Sequence, residues 1–474
     1  MQWWGKNDLL APDAFNGSVT QASSKGGGNN GENIASDPSD NRFFTFLSKP
    51  ATQHTNGTTD YNNVAQAIAY ITRWDPDADP PFSIFLPLTK PHPPYSTTEP
   101  FYSAIDPASL PPLRPQGAGK PDYHALIRSY RNTSALDEAF FRQLHAVYVC
   151  PLAMTSYCLV YFYLLTHSLT HSLTQSSSST TRLHSLSSTC GKPNQTTRYL
   201  GSIAFSDFLF GLLLAAVDEA QLADSTTVAV WADHGDYAGD YGLVEKWPSG
   251  LEDVLTRVPL LVRTPGGARG HVVTSPVQLF DIVPTFLDLA GINLTHVQFG
   301  VSQKDQILRG APGDDGRAVF AEGGYATNEP RDFEGDPSTG GTGSRTAIYY
   351  PKLMQQQEHP LSVCRAASVR TLTHKLVFRT DPTDADHDSE LYDLVADPLE
   401  LSNVYGNASY AAVQAALKEK LFLWFMQTSD VTPWLEDPRG GNMPFGPHAA
   451  AAQGGKAHDV AADTPSIDRA HVWH

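Results

Sequence analysis

A short apolar segment that ends in polar residues constrains the possible folds of this chain more than any other feature. Residues 226 to 232 are β-branched, aromatic or apolar, and Asp233, His234 and Gly235 follow them directly. Such a run predicts a buried strand, so a carboxylate and an imidazole lie where that strand meets a loop. In α/β proteins, the loops that follow parallel strands carry the ligand sites. The segment therefore predicts an α/β fold with a site beside Asp233 and His234.

The residues after this strand favour tight turns, which can bring a lysine back toward the end of the strand. Gly235, Gly239 and Gly242 allow backbone conformations that other residues resist. Lys246 follows His234 by twelve positions, so these turns can bring its ammonium back toward the end of the strand. In isolation, an Asp-His-Gly sequence is more often a turn cap, and a lysine is more often solvated at the surface. Together they favour a site that binds a metal ion and an anion.

A second strand-then-loop pattern occurs upstream. Residues 82 to 88 are typical of a strand, and the proline-flanked His92 follows it. Two such strands in one parallel sheet would place His92 and His234 at the same edge. An imidazole at that edge can act as a general acid. The alternative is a rigid proline-rich loop with an incidental histidine.

Composition fits a globular enzyme and excludes one class of partner. The 474 residues are 41% hydrophobic, and 33 Lys and Arg against 50 Asp and Glu give a formal net charge of −17. Nucleic-acid binding is disfavoured, because phosphate recognition needs a dense cationic face. Four cysteines do not make a disulfide framework in a chain of this length. The length predicts one large α/β domain plus a smaller one.

Six Asn-x-Ser/Thr sequons permit a secreted or lumenal glycoprotein. They lie at Asn16, Asn56, Asn132, Asn194, Asn293 and Asn407. The first six residues lack the charged and apolar regions of a signal peptide. If the true start lies upstream, that lack carries no information.

An uncharged stretch interrupts the predicted helices. Residues 146 to 165 carry no charge, and Ser/Thr-rich sequence follows as far as Arg198. Twenty apolar residues suffice to span a bilayer. Pro151, polar Thr155 and the absence of basic flanks argue against a membrane span.

The same region predicts an insertion. Without residues 149 to 199, residues 144 to 148 would join residues 200 to 207 in one continuous helix. We therefore expect 149–199 to be inserted, and translated non-coding sequence is favoured over a surface loop or a membrane span. Residues 302 to 345 are rich in loop formers.

Five sequence blocks resemble those of the sulfatase family, within the alkaline-phosphatase-like superfamily. They occur in the family's order and at roughly its spacing, and they lean weakly toward its iduronate-, choline- and arylsulfatase-like members. In this chain they are residues 90–95, 233–246, 257–266, 281–285 and 391–403. The resemblance covers most of residues 1 to 430. It implies an α/β fold with a mostly parallel sheet flanked by helices, a small C-terminal α+β subdomain, and hydrolysis of a sulfate ester.

The resemblance also implies roles for individual residues. Asp233 and His234 would ligate a divalent cation, usually Ca²⁺, that carries a sulfate oxygen. Lys246 would bind the sulfate, since an ammonium suits a tetrahedral oxyanion. His92 would contact the sulfate and the leaving oxygen, and Lys90 would face the substrate.

A block near the start resembles the family's Gly-Lys-x-His sequence. Lys6 matches the lysine that holds the nucleophile and the leaving group. Asp8 stands where the family has histidine, and a carboxylate there would repel a bound sulfate. The role of Asp8 is therefore in doubt.

The chain lacks one element that sulfatases need for catalysis. Sulfatases use a formylglycine made from the first residue of a Cys-x-Pro-x-Arg motif, and two further aspartates on the first strand complete the metal site. None of the four cysteines begins such a motif. In the family these elements precede the Gly-Lys block. We therefore expect an N-terminally incomplete chain that is inactive and folds poorly, with a secreted or lumenal, lysosome-like or extracellular, sulfatase as its full-length parent.

These patterns divide the chain into three regions. Residues 1–350 are expected to form the α/β domain without its first strand, and residues 361–430 the antiparallel subdomain. Residues 437–474 contain too few large apolar side chains to fold alone.

Three functions fit these residues. Hydrolysis of a carbohydrate, aryl or small alkyl sulfate is favoured by Lys246 and by the Lys90–His92 block. A phosphodiesterase or phosphonate hydrolase of the same superfamily would share the Asp-His-Gly sequence. A binder of sulfated glycans would keep the anion site without a nucleophile.

Overall fold

The computed structural model describes residues 1–4, 19–23, 31–117, 119–148, 161–166, 201–294, 298–325, 344–383 and 385–429. The predicted Lys6, most of the expected insertion at 149–199 and the tail at 437–474 lie outside these residues. The described residues form a six-stranded sheet with helices and a separate four-stranded sheet.

The larger sheet and its helices make up an α/β domain. Its strands are β1 (Gln2–Trp4), β2 (Gln21–Ser23), β3 (Ser83–Phe85), β4 (Tyr161–Thr166), β5 (Thr226–Trp231) and β6 (Leu260–Arg263). Its helices are α1 (Thr59–Arg73), α2 (Asp122–Tyr130), α3 (Glu138–Tyr148), α4 (Gly201–Glu219), α5 (Asp253–Thr256), α6 (Ile282–Leu289) and α7 (Lys304–Arg309).

The larger sheet has the order β2-β1-β3-β4-β5-β6. Strand β1 pairs in parallel with β2 and β3, whereas β4 is antiparallel to β3 and β5, and β6 is antiparallel to β5. Strands β1, β2, β3 and β5 therefore run in one direction, and β4 and β6 run in the other. The α/β class is confirmed, and the described sheet is mixed rather than mostly parallel, with two parallel and three antiparallel strand pairs.

Strand β4 lies within the segment that was expected to be an insertion. Its backbone pairs with β3 from Ser83↔Leu165 to Phe85↔Tyr163, and with β5 from Thr226↔Thr166 to Trp231↔Tyr161. Part of 149–199 thus belongs to the described sheet. The origin of the segment stays a prediction.

The smaller sheet belongs to a C-terminal α+β subdomain. It consists of β7 (Val319–Gly323), β8 (Ala366–Arg370), β9 (His374–Arg379) and β10 (Glu390–Asp393), all antiparallel to their neighbours. Helix α9 (Ala411–Thr428) packs on β8 and β9, whereas helix α8 (Tyr350–Glu358) packs against α2 of the larger domain. Strand β7 and helix α7 lie in a region expected to be loop, so the sheet draws a strand from before the predicted boundary at residue 361. Because β7 has only five residues and lies between glycines, its sequence pattern is too short to predict a strand.

The main core lies between the sheet and two helices. Val64, Ala67 and Ile71 recur at helical spacing on α1, and they pack with Leu209 and Leu213 of α4. Thr58 caps α1 by accepting a hydrogen bond from the backbone N–H of Tyr61. The same cluster includes Trp4, Ile84 and Val228 of β1, β3 and β5, so both helices pack on the sheet.

Among the described residues, α4 alone is long and apolar enough to pass a test for a membrane-crossing helix. The same test is passed by core helices of globular proteins. Half of the tested window is buried, and Phe205, Leu209, Leu213 and Val217 all contribute to the main core. The composition of α4 is thus accounted for by packing.

Buried ion pairs join the two domains. Lys375 of β9 binds Asp253 at 3.0 Å and Glu400 at 2.8 Å, and Arg370 binds Asp253 at 3.0 Å. Arg114 lies 3.9 Å from Glu400. We call the connected groups the interdomain cluster, which consists of Asp240, Asp253, Glu400, Arg114, Arg370 and Lys375.

Candidate active site

Asp233 and His234, the predicted pair at the end of β5, contact each other. Asp233 Oδ1 accepts the backbone N–H of His234 at 2.9 Å, and Asp233 Oδ2 lies 3.6 Å from His234 Nε2. His234 Nδ1 is 2.8 Å from the carbonyl oxygen of Gly235. Because a carbonyl can only accept, Nδ1 carries the proton and the neutral ring keeps a lone pair on Nε2.

The neutral form of His234 is also favoured electrostatically. Burial lowers the pKa of His234, and the charge of Lys246 lowers it further, while Asp233 opposes both effects. His234 Nε2 and Asp233 Oδ2 are therefore suited to act as electron-pair donors toward a common partner.

His92 and Lys246 meet although they are far apart in the sequence. Lys246 Nζ donates to His92 Nε2 at 3.3 Å. His92 Nδ1 lies 2.6 Å from the carbonyl oxygen of Pro93, so this nitrogen is the protonated one. The prediction that both residues belong to one site fits this contact, which joins the loop after β3 to the segment after β5.

The turns between His234 and Lys246 are as tight as the glycines predict. A Cβ on Gly235 would lie 1.9 Å from the carbonyl oxygen of Val254, so only glycine fits there. Gly239 and Gly242 have positive φ, and so do Ala238, Tyr241 and Glu245. Left-handed backbone at non-glycine residues is costly and is often concentrated at functional sites.

Tyr95 fixes this segment to the His92 loop. The Tyr95 hydroxyl is buried, donates to Asp236 Oδ1 at 2.7 Å and accepts the backbone N–H of Glu245 at 2.8 Å. Asp236 Oδ1 also accepts the N–H of Ala238. One phenol thus ties both ends of the turn to the loop that carries His92.

A buried carboxylate beside Lys246 gathers three cations. Glu245 Oε1 accepts from Lys352 Nζ at 3.0 Å and lies 3.7 Å from Lys246 Nζ. Glu245 Oε2 accepts from Arg131 Nη2 at 3.1 Å. Burial would raise the pKa of Glu245, but Lys352, Lys246 and Arg131 outweigh it and hold the pKa at about 2. We call these four residues the Glu245 cluster.

Lys90 takes a different position from the other predicted residues. Its Nζ donates to the carbonyl oxygen of Pro94 at 3.2 Å, and Asp60 accepts its backbone N–H. Burial lowers the pKa of Lys90 to about 8, although Asp60 opposes the shift. Lys90 lines a small separate cavity, whereas Asp233, His234 and Lys246 line a cleft of about 1830 Å³. A substrate-facing role for Lys90 stays a prediction.

The sequence is similar to known proteins over most of its length. A model of the family described as Sulfatase matches residues 13–292, more than half of the 474 residues. The chain belongs to the sulfatase family. A second model, of the C-terminal part of N-sulphoglucosamine sulphohydrolase, matches residues 338–426. The predicted family is confirmed, and its C-terminal match covers most of the smaller sheet.

Individual sulfatases resemble part of the chain. An N-acetylglucosamine-6-O-sulfatase from Bacteroides thetaiotaomicron is 28% identical over 224 residues, which are 47% of this chain and 34% of that protein. A choline-sulfatase from Rhizobium meliloti is 30% identical over 220 residues, 46% of this chain and 35% of that protein. The chain spans about a third of the length of these relatives.

The fold resembles solved structures of the same superfamily. A phosphonate monoester hydrolase from Agrobacterium radiobacter has a TM-score of 0.54 at 19% identity, over 84% of this chain and 65% of that one. A phosphonate monoester hydrolase from Silicibacter pomeroyi has a TM-score of 0.52 at 21% identity, over 82% of this chain and 66% of that one. These similarities support the alkaline-phosphatase-like fold.

The described residues supply only part of the ligand set that the metal expected for sulfatases needs. Asp233 Oδ2 and His234 Nε2, 3.6 Å apart, can serve as two ligands of one ion. Within the described residues no group of three or more His, Cys, Asp and Glu side chains could hold a metal. Ca²⁺ takes six to eight oxygen ligands, so this pair alone does not make a calcium site.

Several residues of the site were not predicted from the sequence. Glu245 adjoins Lys246, and Tyr95 ends the block that contains His92, so both lay within recognised motifs without being assigned a role. Arg131 and Lys352 carry no local signal, because only the tertiary fold brings them to Glu245.

Proposed function

We propose that this chain carries the anion-binding part of a sulfatase site and that the reaction of its full-length parent is hydrolysis of a sulfate ester. The contact between Lys246 Nζ and His92 Nε2, at 3.3 Å, carries this proposal. It supports the proposal because Lys246, which lines the cleft, contacts a group that can transfer a proton. Sulfate esters of carbohydrates, aryl alcohols or small alkyl alcohols are the proposed substrates, in keeping with the names of the relatives.

Each residue has a distinct task in this proposal. The Lys246 ammonium binds an oxygen of the tetrahedral anion as a point charge. The carbonyl of Pro93 holds the ring of His92 through Nδ1, so Nε2 is the nitrogen that would give a proton to the leaving oxygen. Because Nε2 accepts from Lys246 here, His92 must take up a proton before it can donate one.

A divalent cation, Ca²⁺ by resemblance, is proposed to occupy the space beside Asp233 and His234. It would withdraw charge from an oxygen of the bound anion when present. Asp233 and His234 would supply two of its ligands. Lys6 is proposed as a further anion-site residue by resemblance alone.

We further propose that residues 1–474 bind sulfate without turning over a sulfate ester. The sequence contains no Cys-x-Pro-x-Arg motif, so it lacks the residue that becomes the formylglycine nucleophile. The test is an assay of the purified chain on an aryl sulfate with Ca²⁺ and with a chelator, beside calorimetric titration with inorganic sulfate. Sulfate binding without turnover is expected. Metal-dependent turnover would contradict the inactivity, and a lack of sulfate binding would contradict the anion site.

Two other functions stay open to the same experiment. A phosphonate or phosphodiester hydrolase is favoured by the fold similarity to phosphonate monoester hydrolases. Stronger binding of inorganic phosphate than of sulfate would support it. Retention of a sulfated glycan by the chain, without turnover, would support a binding protein. For the full-length parent we propose a secreted or lumenal location, which glycan analysis of the six sequons in the native protein would test.

A further inference from the structure

We propose that Arg257 is a specificity-determining residue whose guanidinium binds a second anionic group, on the organic part of the sulfate ester. This inference rests on the proposed function, in which Lys246 holds the ester sulfate. Arg257 is the first residue of the 257–266 block, none of whose residues has a role in the proposed site.

The first argument is the position of Arg257 at the end of β5. The backbone N–H of Gly235 donates to the carbonyl of Leu255 at 2.7 Å, and Trp231 pairs with Leu260 in the ladder between β5 and β6. Arg257 lies between these two contacts. Its backbone therefore runs beside the predicted metal ligands, which lie between Trp231 and Gly235.

The second argument is access. Arg257 is exposed, and it lines the same cleft as Lys246. The cleft has a volume of about 1830 Å³, larger than the about 300 to 1,000 Å³ that is typical of small-molecule sites. It therefore has room for the organic part of an ester as well as for its sulfate.

The third argument is that Arg257 differs from the other cations of the cleft. The other lysines and arginines among the described lining residues each lie 3.0–3.7 Å from a carboxylate. These pairs are Lys246 and Lys352 with Glu245, Arg263 with Asp218, and Arg370 and Lys375 with Asp253. Within the described residues, the guanidinium of Arg257 makes no ion pair, and only its backbone N–H donates, to the carbonyl of Asp253 at 3.0 Å.

The chemistry of this side chain indicates the class of its ligand. A guanidinium is a planar fork of donors that can form two hydrogen bonds with a carboxylate or a sulfate. The chain has a formal net charge of −17, so a ligand with two negative groups needs a local cation for each. Lys246 and Arg257 can supply these two cations in one cleft.

The test is calorimetric titration of the full chain, at fixed low ionic strength, with three matched sugars. They are glucose with one sulfate ester, the same sugar with a second sulfate at carbon six, and glucuronic acid with the first sulfate ester alone. Wild type should bind at least one of the doubly anionic sugars about fivefold more tightly than the monosulfate, as expected for one exposed ion pair. R257Q should lose this preference and keep its affinity for the monosulfate.

R269Q is the matched control. Arg269 is also exposed, but it is not among the residues that line the cleft. R269Q should therefore keep the preference of wild type. R257K should keep part of it, because an ammonium retains the charge without the fork.

Three outcomes would overturn this inference and leave the proposed function intact. Wild type could bind all three sugars equally, a folded R257Q variant, checked by circular dichroism, could keep the preference, or R269Q could lose as much of it as R257Q. The wild-type comparison needs no variant, so it remains decisive if R257Q fails to fold. A chain that binds neither these sugars nor inorganic sulfate would contradict the proposed function itself.

Discussion

Two ion clusters in the described part of the chain differ in the number of carboxylates that contact their cations. The interdomain cluster sets three cations against three carboxylates, and its central Lys375 side chain is 1% exposed. The Glu245 cluster sets three cations against one carboxylate, and its Lys246 side chain is 27% exposed. The interdomain cluster fastens two domains, and its Arg370 and Lys375 also line the cleft. The Glu245 cluster includes the proposed anion ligand Lys246, whose side chain reaches the same cleft.

The two clusters also differ in what burial costs them. Buried ions must be paired, because an isolated charge out of water is expensive. The interdomain cluster meets this requirement within the protein. Lys246 of the Glu245 cluster is the proposed anion ligand, so a bound anion should stabilise the protein at the Glu245 cluster and leave the interdomain cluster unaffected.

The largest expected effect follows from removing one carboxylate in each cluster. E245Q removes the carboxylate that Arg131 and Lys352 contact, and D253N removes the one that Arg370 and Lys375 contact, while Lys375 keeps its contact with Glu400. Each variant should lose about 3 to 5 kcal/mol of unfolding free energy, measured by urea denaturation.

Sulfate should separate the two variants. An anion can replace the missing charge in E245Q, so sulfate at matched ionic strength should raise its stability more than that of wild type. D253N should gain no more than wild type and serves as the control for the general stabilising effect of sulfate on proteins. Equal gains in E245Q and D253N would break the distinction between the clusters.

A second prediction concerns the pH dependence of stability at the turn before Lys246. Burial raises the pKa of Asp236 from 3.8 to about 6, so the folded protein holds this proton more tightly than the unfolded chain. Stability from this group is therefore present below about pH 4 and is lost as the pH rises to about 6. The loss should approach about 3 kcal/mol, since each pKa unit corresponds to about 1.4 kcal/mol.

D236N isolates this contribution, because its amide cannot titrate. The difference in unfolding free energy between wild type and D236N should fall as the pH rises from 4 to 6 and stay level above it. The lowered pKa values of Glu245 and Asp253 act below this window, and with the opposite sign. A difference that is flat across the window would show that Asp236 is ionised throughout.

The parts of the site that the sequence predicts are those encoded locally. The apolar run before Asp233 predicts a strand over residues 226–232, and β5 spans Thr226–Trp231. Because β3 and β5 run in the same direction, their loops open at one edge, and His92 meets Lys246 there. Local pattern and sheet geometry were sufficient for this contact.

The remaining features depend on tertiary contacts that leave no local pattern. Lys352 reaches Glu245 across 107 positions in sequence. The direction of the Lys90 side chain is set by the carbonyl of Pro94, which a motif of residue types cannot specify. Strand β7 is five residues long in glycine-rich surroundings and is recognisable only through its pairing with β8.

The smallest expected effect concerns the connection between the His92 loop and the Lys246 turn. Y95F removes one hydroxyl, so Asp236 loses a donor and the N–H of Glu245 loses its acceptor. We expect a loss of about 1 to 2 kcal/mol in unfolding free energy. Sulfate affinity should also fall several-fold, because the turn that places Lys246 beside His92 is held less firmly.

Y102F is the matched control for this variant. The Tyr102 hydroxyl donates to the carbonyl of Ser48, so its removal also costs a hydrogen bond, but Tyr102 makes no described bond to the turn. Y102F should lose stability and keep its sulfate affinity. If Y95F and Y102F bind sulfate equally well, Tyr95 supports the fold alone. Lys246 would then bind the anion without help from the hydroxyl that joins its turn to the His92 loop.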